Sequence, residues 1–403
     1  MKTLFEDFSL SAAVAGFIAT VISYAGPLVI IFQAAEAAHL SREVLSSWIW
    51  AISIGSALLG IGLSLRYRVP VIIAWSAPGS ALLVALLPDI SMPQAVGAYL
   101  ISSLIIFLVG VSGAFDRIIS KLPAAIAAAM LAGILFSFGT GLFVSMQHKP
   151  VLVLAMFASY LIGKRLVPRY AVLLVLLTGC SIAALTGDLH REALVVGFAT
   201  PVWISPEFSL SATLNIALPL VMVALTGQFV PGMTVLRASG YATPASPIIA
   251  SSALATALLA PFGCHGLNLA AITAAICTGR EAHEDPRKRY VAGVVGGLCY
   301  LVLGIFGATL VSLFTAFPKE LIAALAGLAL FAAIAGALAG AMAQPSDREA
   351  ALVTLLVTAS GMSLFGLSAA FWGLIFGMVT HWLLGARRAV ASAPTTPASQ
   401  VQR

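Results

Sequence analysis

The stretch PFGCHGLNLAAITAAICTG, residues 261–279, begins with a proline and carries glycines at positions 263 and 266, although it lies in a long hydrophobic region. Only residues 267–277 predict an uninterrupted helix. At about 1.5 Å per residue, such a helix spans about half of a hydrocarbon core of about 30 Å. A helix that begins in the middle of a membrane leaves backbone N–H groups unpaired, which is tolerated only where they face protein or a polar cavity. The stretch is therefore a candidate binding site for an anionic group.

The composition predicts an all-α polytopic membrane protein. Of the 403 residues, 60% are hydrophobic and only 9% are charged, whereas about a quarter of the residues of soluble domains are charged. A membrane-embedded enzyme would need clustered carboxylates or metal ligands at membrane depth, and the hydrophobic segments carry none. We therefore expect neither an enzyme nor a bound cofactor or metal.

Polar, proline and glycine breaks divide the hydrophobic sequence into about fourteen transmembrane segments. Several of these segments, the third, sixth and tenth among them, are short. The predicted bounds are 9–35, 44–65, 70–87, 93–114, 123–146, 150–163, 169–187, 210–236, 246–260, 263–278, 289–315, 318–341, 349–364 and 368–385.

The positions of lysine and arginine predict that both termini lie in the cytoplasm, as expected for a multi-pass protein of the inner (cytoplasmic) membrane. With fourteen crossings, all but four of the 21 basic residues fall on the cytoplasmic side, as the positive-inside rule demands. The exceptions are Arg42, Lys149, Arg191 and Lys319. This asymmetry explains the pI of about 9.3 without a nucleic-acid partner.

Short identical or similar motifs predict an internal repeat of seven segments. The sequence SLSA opens the first segment at residues 9–12 and the eighth at residues 209–212. Leu122-Pro123 and Phe317-Pro318 similarly open the fifth and twelfth segments. Because seven is odd, the second copy must be inverted in the membrane. Inverted repeats with interrupted helices in matching positions are typical of secondary transporters.

The repeat pairs the tenth segment with the third, which is also interrupted. Its β-branched beginning, residues 69–75, favours extended backbone. Ser76 is a suitable N-cap and Pro78 suits a first helical turn, so a half-helix is predicted from about residue 78 to residue 87. Inversion would bring the N-termini of both half-helices together near the midplane. Each carries about half a positive charge, so together they suit a monovalent anion such as a carboxylate.

The candidate substrate-binding residues are the polar, aromatic and glycine residues around this point. They are Tyr24, Trp75, Ser76, Gly79, Ser80, Gln228, His265, Gly266, Leu267 and Asn268. Several have a structural alternative: Gln228 and Asn268 suit interhelical hydrogen bonds equally well, and Tyr24, Trp75 and Gly266 suit packing. His265 is either a hydrogen-bonded structural histidine or a ligand contact and candidate proton carrier.

The sequence resembles the benzoate–proton symporter family, within the fold shared by nucleobase and sulfate-type anion transporters. The resemblance covers most of the chain and is most specific in AWSAPGSALL (74–83), GQFVPGM (227–233) and the opening stretch. It implies short strands ahead of the third and tenth half-helices. Nucleobase transporters of this fold carry Gly-Glu-Asn where this chain has Gly266, Leu267 and Asn268. The missing carboxylate makes a nucleobase substrate doubtful and suits an anionic one, because a glutamate would repel it.

The resemblance also implies a division into two domains, with the substrate held between them. The core domain consists of residues 1–114 and 191–315, and the gate domain of residues 115–190 and 316–388. A disordered tail, 389–403, is expected to follow.

We therefore expect inward symport of benzoate or a related aromatic carboxylate with a proton, by alternating access. The carboxylate would bind at the two half-helix N-termini. The expected partners are the substrate, a proton, the lipid bilayer and a second copy of the chain in a homodimer. The alternative functions are transport of an inorganic anion, such as sulfate or bicarbonate, or of a nucleobase.

Overall fold

The helices follow the predicted segments closely. The computed structural model describes residues 2–115, 117, 123–189, 195–365 and 367–391. After a short helix, Lys2–Asp7, segments one to seven contain the helices Leu10–Ala25, Pro27–Ala37, Arg42–Tyr67, Ala77–Leu86, Met92–Ser112, Ala124–His148, Pro150–Leu166 and Ala171–Thr186. Segments eight to fourteen contain the helices Leu210–Ala238, Ala245–Leu259, Ile272–Thr278, Tyr290–Ile305, Gly307–Thr315, Lys319–Met342, Arg348–Ala359 and Ala369–Ala391. In the described part of the chain, 8 helices are long and apolar enough to cross a membrane.

The packing of the helices confirms the repeat of seven segments. The second segment packs on the eleventh, and the fourth packs on the ninth. Adding seven to each segment number relates the two pairs: the second becomes the ninth, and the eleventh becomes the fourth when the count restarts after fourteen. The same shift relates the sixth–seventh pair to the thirteenth–fourteenth pair and maps the fifth–twelfth pair onto itself. The predicted fold, an all-α membrane protein with two short strands, is confirmed.

The two SLSA motifs make the same helix cap in both halves. The hydroxyl of Ser9 accepts a hydrogen bond from the Ala12 N–H at 3.2 Å, and the hydroxyl of Ser209 accepts one from the Ala212 N–H at 3.0 Å. A serine N-cap satisfies one of the N–H groups that every helix start leaves unpaired. The repeated motif therefore forms the same serine N-cap at the start of both segments.

The first and eighth segments are both interrupted near their middles. Gly26 separates the two helices of the first segment, with Pro27 opening the second. The eighth segment widens into π-helical turns at Thr213–Ala217 and Leu225–Phe229. Each turn is followed within two residues by a proline, which has no N–H and displaces the carbonyl four residues before it.

The third and tenth segments each consist of a short strand followed by a short helix. Strand β1, Ile73–Trp75, pairs antiparallel with strand β2, Leu267–Leu269, so that Ala74 lies opposite Asn268. The third half-helix, Ala77–Leu86, was predicted correctly to within a residue. The uninterrupted helix predicted for residues 267–277 was wrong, because the tenth helix begins only at Ile272. The backbone of β1 needs hydrogen-bond partners at membrane depth, and β2 supplies them in extended form.

Close helix contacts depend on glycine at several crossings, and one of them gives a stability prediction. A Cβ added at Gly110 in the fourth segment would lie 2.7 Å from the Ala250 backbone nitrogen of the ninth. Gly110→Ala is therefore expected to lower the unfolding free energy by about 1–3 kcal/mol through overpacking. Gly62→Ala is the control, because a Cβ at Gly62 meets open space. Thermal unfolding in detergent should show a lower midpoint for Gly110→Ala alone; equal midpoints would contradict the prediction.

The last helix runs to Ala391, three residues into the predicted tail. Residues 392–403, the rest of that tail, lie outside the described residues.

Candidate functional site

The third half-helix begins with a complete cap. The hydroxyl of Ser76 accepts a hydrogen bond from the Gly79 N–H at 2.9 Å, while the Ser76 carbonyl accepts from the Ser80 N–H at 2.8 Å. Pro78 has no N–H to satisfy. A Cβ at Gly79 would lie 3.0 Å from Ser76 Cβ and from Leu220 of the eighth segment. Glycine thus lets the cap and the eighth segment approach each other.

His265 joins three segments through both ring nitrogens. Trp48 Nε1 of the second segment donates to His265 Nδ1 at 3.1 Å. Because an indole N–H can only donate, Nδ1 is the acceptor and the proton lies on Nε2. His265 Nε2 lies 3.0 Å from Ser80 Oγ and 3.3 Å from the Ser76 carbonyl oxygen. The imidazole is therefore neutral and hydrogen-bonded on both sides, and it fixes the tenth segment to the start of the third half-helix.

Tyr24 and Trp75 lie together, in an aromatic cluster with Tyr300. The ring centroids of Tyr24 and Trp75 are 5.3 Å apart, and both rings lie within 6 Å of that of Tyr300. The Tyr24 hydroxyl shares a hydrogen bond of 2.5 Å with Ser53 Oγ. Trp75 is buried, and its Nε1 has no hydrogen-bond partner among the described residues. The arrangement matches the packing alternative for these two aromatic residues.

The three residues before and within β2 share one small cavity, and Leu267 also contacts two other segments. The Leu267 side chain packs against the second segment, since a Cβ added at Gly55 would lie 2.5 Å from Leu267 Cδ1. The Leu267 N–H donates to Thr256 Oγ1 of the ninth segment at 2.9 Å. Gly266, Leu267 and Asn268 nevertheless all line one small cavity inside the protein. Ser76 and His265 line it too, so the structure brings five of the predicted residues to this cavity.

The breaks of the first and eighth segments face helices of the predicted gate domain. A Cβ added at Gly227 would lie 3.6 Å from Leu131 of the fifth segment. A Cβ added at Gly26 would lie 2.8 Å from Ala329 of the twelfth. Gln228, beside Gly227 in the π-helical turn, is partly exposed, and its amide makes no hydrogen bond to another described residue. The first and eighth segments, which the repeat pairs, thus each place a glycine against a helix of the predicted gate domain.

A cavity of about 680 Å³ lies between the third half-helix and the fifth segment. Its apolar wall includes Leu82 of the half-helix and Ile134 and Phe138 of the fifth segment. Polar groups complete the lining, and Asp89 is the only charged residue among the described ones. One of the neutral groups, Asn215, accepts a hydrogen bond of 2.5 Å from the Ser368 N–H across the eighth and fourteenth segments. The volume exceeds the roughly 150 Å³ that accommodates benzene in an engineered cavity. An aromatic ligand therefore has room between the two predicted domains.

The structure gathers most of the predicted residues around the strand pair, but in separate groups. Ser76, Gly79, Ser80 and His265 form one bonded unit, and Gln228 lies on the face toward the fifth segment. Trp48 was missed because it lies in an uninterrupted apolar helix, where no break or cap marks it. The only available signal was its indole N–H, which needs an acceptor when buried.

Comparison with known proteins identifies the family. The family model described as "Benzoate membrane transport protein" matches residues 6–383. The benzoate membrane transport protein of Acinetobacter baylyi is 51% identical over 384 residues, 95% of this chain and 98% of that protein. Inner membrane protein YdcO of Escherichia coli is 40% identical over 370 residues, 92% of this chain and 95% of that protein.

Two solved structures share the fold at low sequence identity. The transmembrane domain of the cyanobacterial bicarbonate transporter BicA has a TM-score of 0.59 at 13% identity, covering 94% of this chain and 97% of that one. The murine anion transporter Slc26a9 has a TM-score of 0.60 at 13% identity, covering 95% of this chain and 69% of that one. These likenesses show the fold alone. By the family match and the two close relatives, the chain belongs to the benzoate membrane transport protein family, a family of transporters rather than enzymes.

Proposed function

We propose that this protein imports benzoate or a related aromatic carboxylate together with a proton. The observation that carries the proposal is the cavity between the third half-helix and the fifth segment. Its volume of about 680 Å³ and its mixed apolar and polar lining suit a small aromatic acid. The family of close relatives named for benzoate transport supports the same substrate class.

In this proposal the carboxyl group binds next to the eighth segment. Gln228 lies beside the face toward the fifth segment, outside the lining of the cavity, and its amide has no partner among the described residues. Its N–H and its oxygen can pair with the C=O and the O–H of a protonated carboxyl group. The cavity is lined by the second half of the third half-helix, so the positive end capped by Ser76 lies outside its lining. The aromatic ring then packs against the apolar wall formed by Leu82, Ile134 and Phe138. His265, Tyr24 and Trp75 hold the half-helices in place.

The proton enters as the hydrogen of the substrate's own carboxyl group. Among the described residues that line the cavity, Asp89 is the only charged one, and it is negative. A carboxylate anion would find no fixed cation there, whereas the neutral acid carries no charge that needs a partner. His265 is the less suitable carrier, because a second proton on Nδ1 would break its hydrogen bond from Trp48.

Transport proceeds by movement of the core domain against the gate domain. The division at residues 1–114, 115–190, 191–315 and 316–388 is supported by the small residues where the two sets of helices meet, Gly26 and Gly227. Alternating access as a near-rigid movement fits an inverted-repeat transporter. We place the protein in the inner membrane with both termini in the cytoplasm. A homodimer remains a prediction, which native mass spectrometry would test.

Proton coupling gives a direct prediction for uptake. Labelled benzoate should accumulate in proteoliposomes when the outside is more acidic than the inside, because the inward proton gradient then drives symport. Uptake should fall when the gradient is reversed or is collapsed by a protonophore. Protein-free liposomes are the essential control, because neutral benzoic acid crosses lipid unaided. Protein-dependent uptake that ignores the gradient would exclude the coupling.

Competition distinguishes the substrate classes. Unlabelled aromatic carboxylates are expected to inhibit the protein-dependent uptake, whereas sulfate, bicarbonate and uracil are expected to leave it unchanged. Inhibition by sulfate or bicarbonate without inhibition by aromatic acids would favour an inorganic anion. Inhibition by uracil alone would favour a nucleobase.

A further inference from the structure

A second, smaller cavity lies behind β2, between the strand pair and the fourth and ninth segments. Its volume is about 20 Å³, and its polar lining consists of Ser76, Ser102, Ser103, Thr256 and Asn268, with His265 and Gly266 beside them. Each of the five polar side chains belongs to a residue that is at most 4% exposed. The rest of the wall is apolar and includes Ile106, Leu220 and Ala253. The cavity is thus an internal space with a partly polar wall, separate from the large cavity between the two predicted domains.

Three of the four hydroxyl groups in the wall of this cavity have already used their hydrogens, whereas the Ser76 hydroxyl accepts from the Gly79 N–H. Ser102 donates to the Tyr99 carbonyl and Ser103 to the Leu100 carbonyl, both at 2.9 Å. Thr256 donates to the Ser252 carbonyl at 2.8 Å and accepts from a backbone N–H. Each hydroxyl has one hydrogen and two lone pairs. Ser102, Ser103 and Thr256 can therefore offer the cavity only hydrogen-bond acceptors, which need a donor.

Asn268 brings an amide into the same space without a partner. The residue is 2% exposed, and its side chain makes no hydrogen bond to another described residue. An amide buried without a hydrogen bond costs about 1–3 kcal/mol on protein scales. Its N–H groups and its oxygen complement the hydroxyl acceptors, but no direct bond joins them. A small bridging ligand that both donates and accepts would satisfy both.

The size and the charges of the cavity select the ligand. A cavity needs about 10–15 Å³ on this measure to hold one water molecule, whereas a cavity that binds benzene measures about 150 Å³. An aromatic acid therefore does not fit. A cation is disfavoured, because the lining contains no carboxylate and includes Ser76, which caps the positive end of the third half-helix. Water is neutral, small and able to donate twice.

We propose that this cavity binds one ordered water molecule, which accepts a hydrogen bond from Asn268 and donates to Ser102 or Ser103. The water joins β2 to the fourth segment and so fixes the strand pair against the rest of the predicted core domain. Asn268 is then a positioning residue that acts through the water, and Gln228 remains the proposed polar contact for substrate. This inference goes beyond the transport function and does not depend on which anion is carried.

A structure at a resolution that shows ordered water tests the site directly. We expect a density peak within hydrogen-bond distance of the Asn268 amide and of Ser102 or Ser103 Oγ. An empty cavity would overturn the proposal. Two results together would identify the bound species as a cation instead of water. The peak would have shorter contacts, from oxygen atoms only, and the unfolding temperature of the wild-type protein would fall when sodium is replaced by choline.

Variants separate a positioning role from substrate contact. Asn268→Ala is expected to lower the unfolding temperature by several degrees, because the water loses its donor, and to raise the KM for benzoate less than Gln228→Ala does. Gln228→Ala serves as the matched control, with a raised KM and an unfolding temperature close to wild type. The proposal is overturned if Asn268→Ala raises the KM as much as Gln228→Ala at unchanged stability. Failure of benzoate uptake in the wild-type protein would instead count against the proposed function alone.

Discussion

Replacing His265 with leucine is expected to remove all uptake above that of protein-free liposomes. Leucine leaves the Trp48 N–H without its acceptor and Ser80 without its ring partner, all of them buried. Each orphaned polar group costs about 1–3 kcal/mol. The tenth segment would lose its connection to the start of the third half-helix, so both the stability and the geometry of the site would suffer.

The same variant series tests where the proton travels. His265→Asn can retain an acceptor near the Nδ1 position and should restore part of the stability that leucine removes. If the substrate carries its own proton, exchange of labelled for unlabelled benzoate and uptake driven by a pH gradient should fall by the same factor in each variant. A variant that exchanges benzoate normally but no longer responds to the gradient would instead identify His265 as the proton carrier.

Replacing Gly227 with leucine is expected to block transport without unfolding the protein. Gly227 faces Leu131 of the fifth segment, and a Cβ there would lie 3.6 Å from Leu131 Cδ2, an ordinary contact. A whole leucine side chain would push the two segments apart. Overpacking of this kind costs about 1–3 kcal/mol. It would destabilise the conformations of the transporter in which the eighth and fifth segments are in contact. A bias of about 1–3 kcal/mol changes such an equilibrium by about 5- to 150-fold.

Gly227→Ala is the matched control for the blocked variant. Because a single Cβ fits, its uptake should stay close to that of the wild type, while Gly227→Leu should lose most of its uptake at a similar unfolding temperature. Uptake and thermal unfolding measured on the same preparations would separate blocked movement from misfolding. Normal uptake by Gly227→Leu would show that the eighth and fifth segments do not approach closely during transport.

The segments and the third half-helix could be predicted because their signals are local. An apolar run marks a crossing wherever it occurs, and Ser76 and Pro78 mark a helix start without reference to any other segment. The SLSA motifs likewise marked the starts of the first and eighth segments. The seven-segment repeat could therefore be predicted from these short motifs alone, without knowledge of the contacts between segments.

The tenth segment could not be predicted fully, because its strand depends on a distant partner. Leu267, Asn268 and Leu269 include no β-branched residue, so the local pattern favours helix. The unpaired backbone of β1 determines their conformation instead. For the same reason, the sequence placed His265 near the site but did not reveal its bond to Trp48, which belongs to a segment with no irregular feature.

The strand pair also has a consequence for biosynthesis. Ile73 pairs with Leu269, so the backbone of β1 is completed only after the tenth segment has been made. Until then, a newly inserted first half has extended backbone groups at membrane depth with no permanent partner, which lipid cannot supply. The loop that must close is long, and such non-local pairing forms slowly. The first seven segments alone should therefore remain a target for membrane chaperones and proteases, and the two halves of the repeat mature as one folding unit.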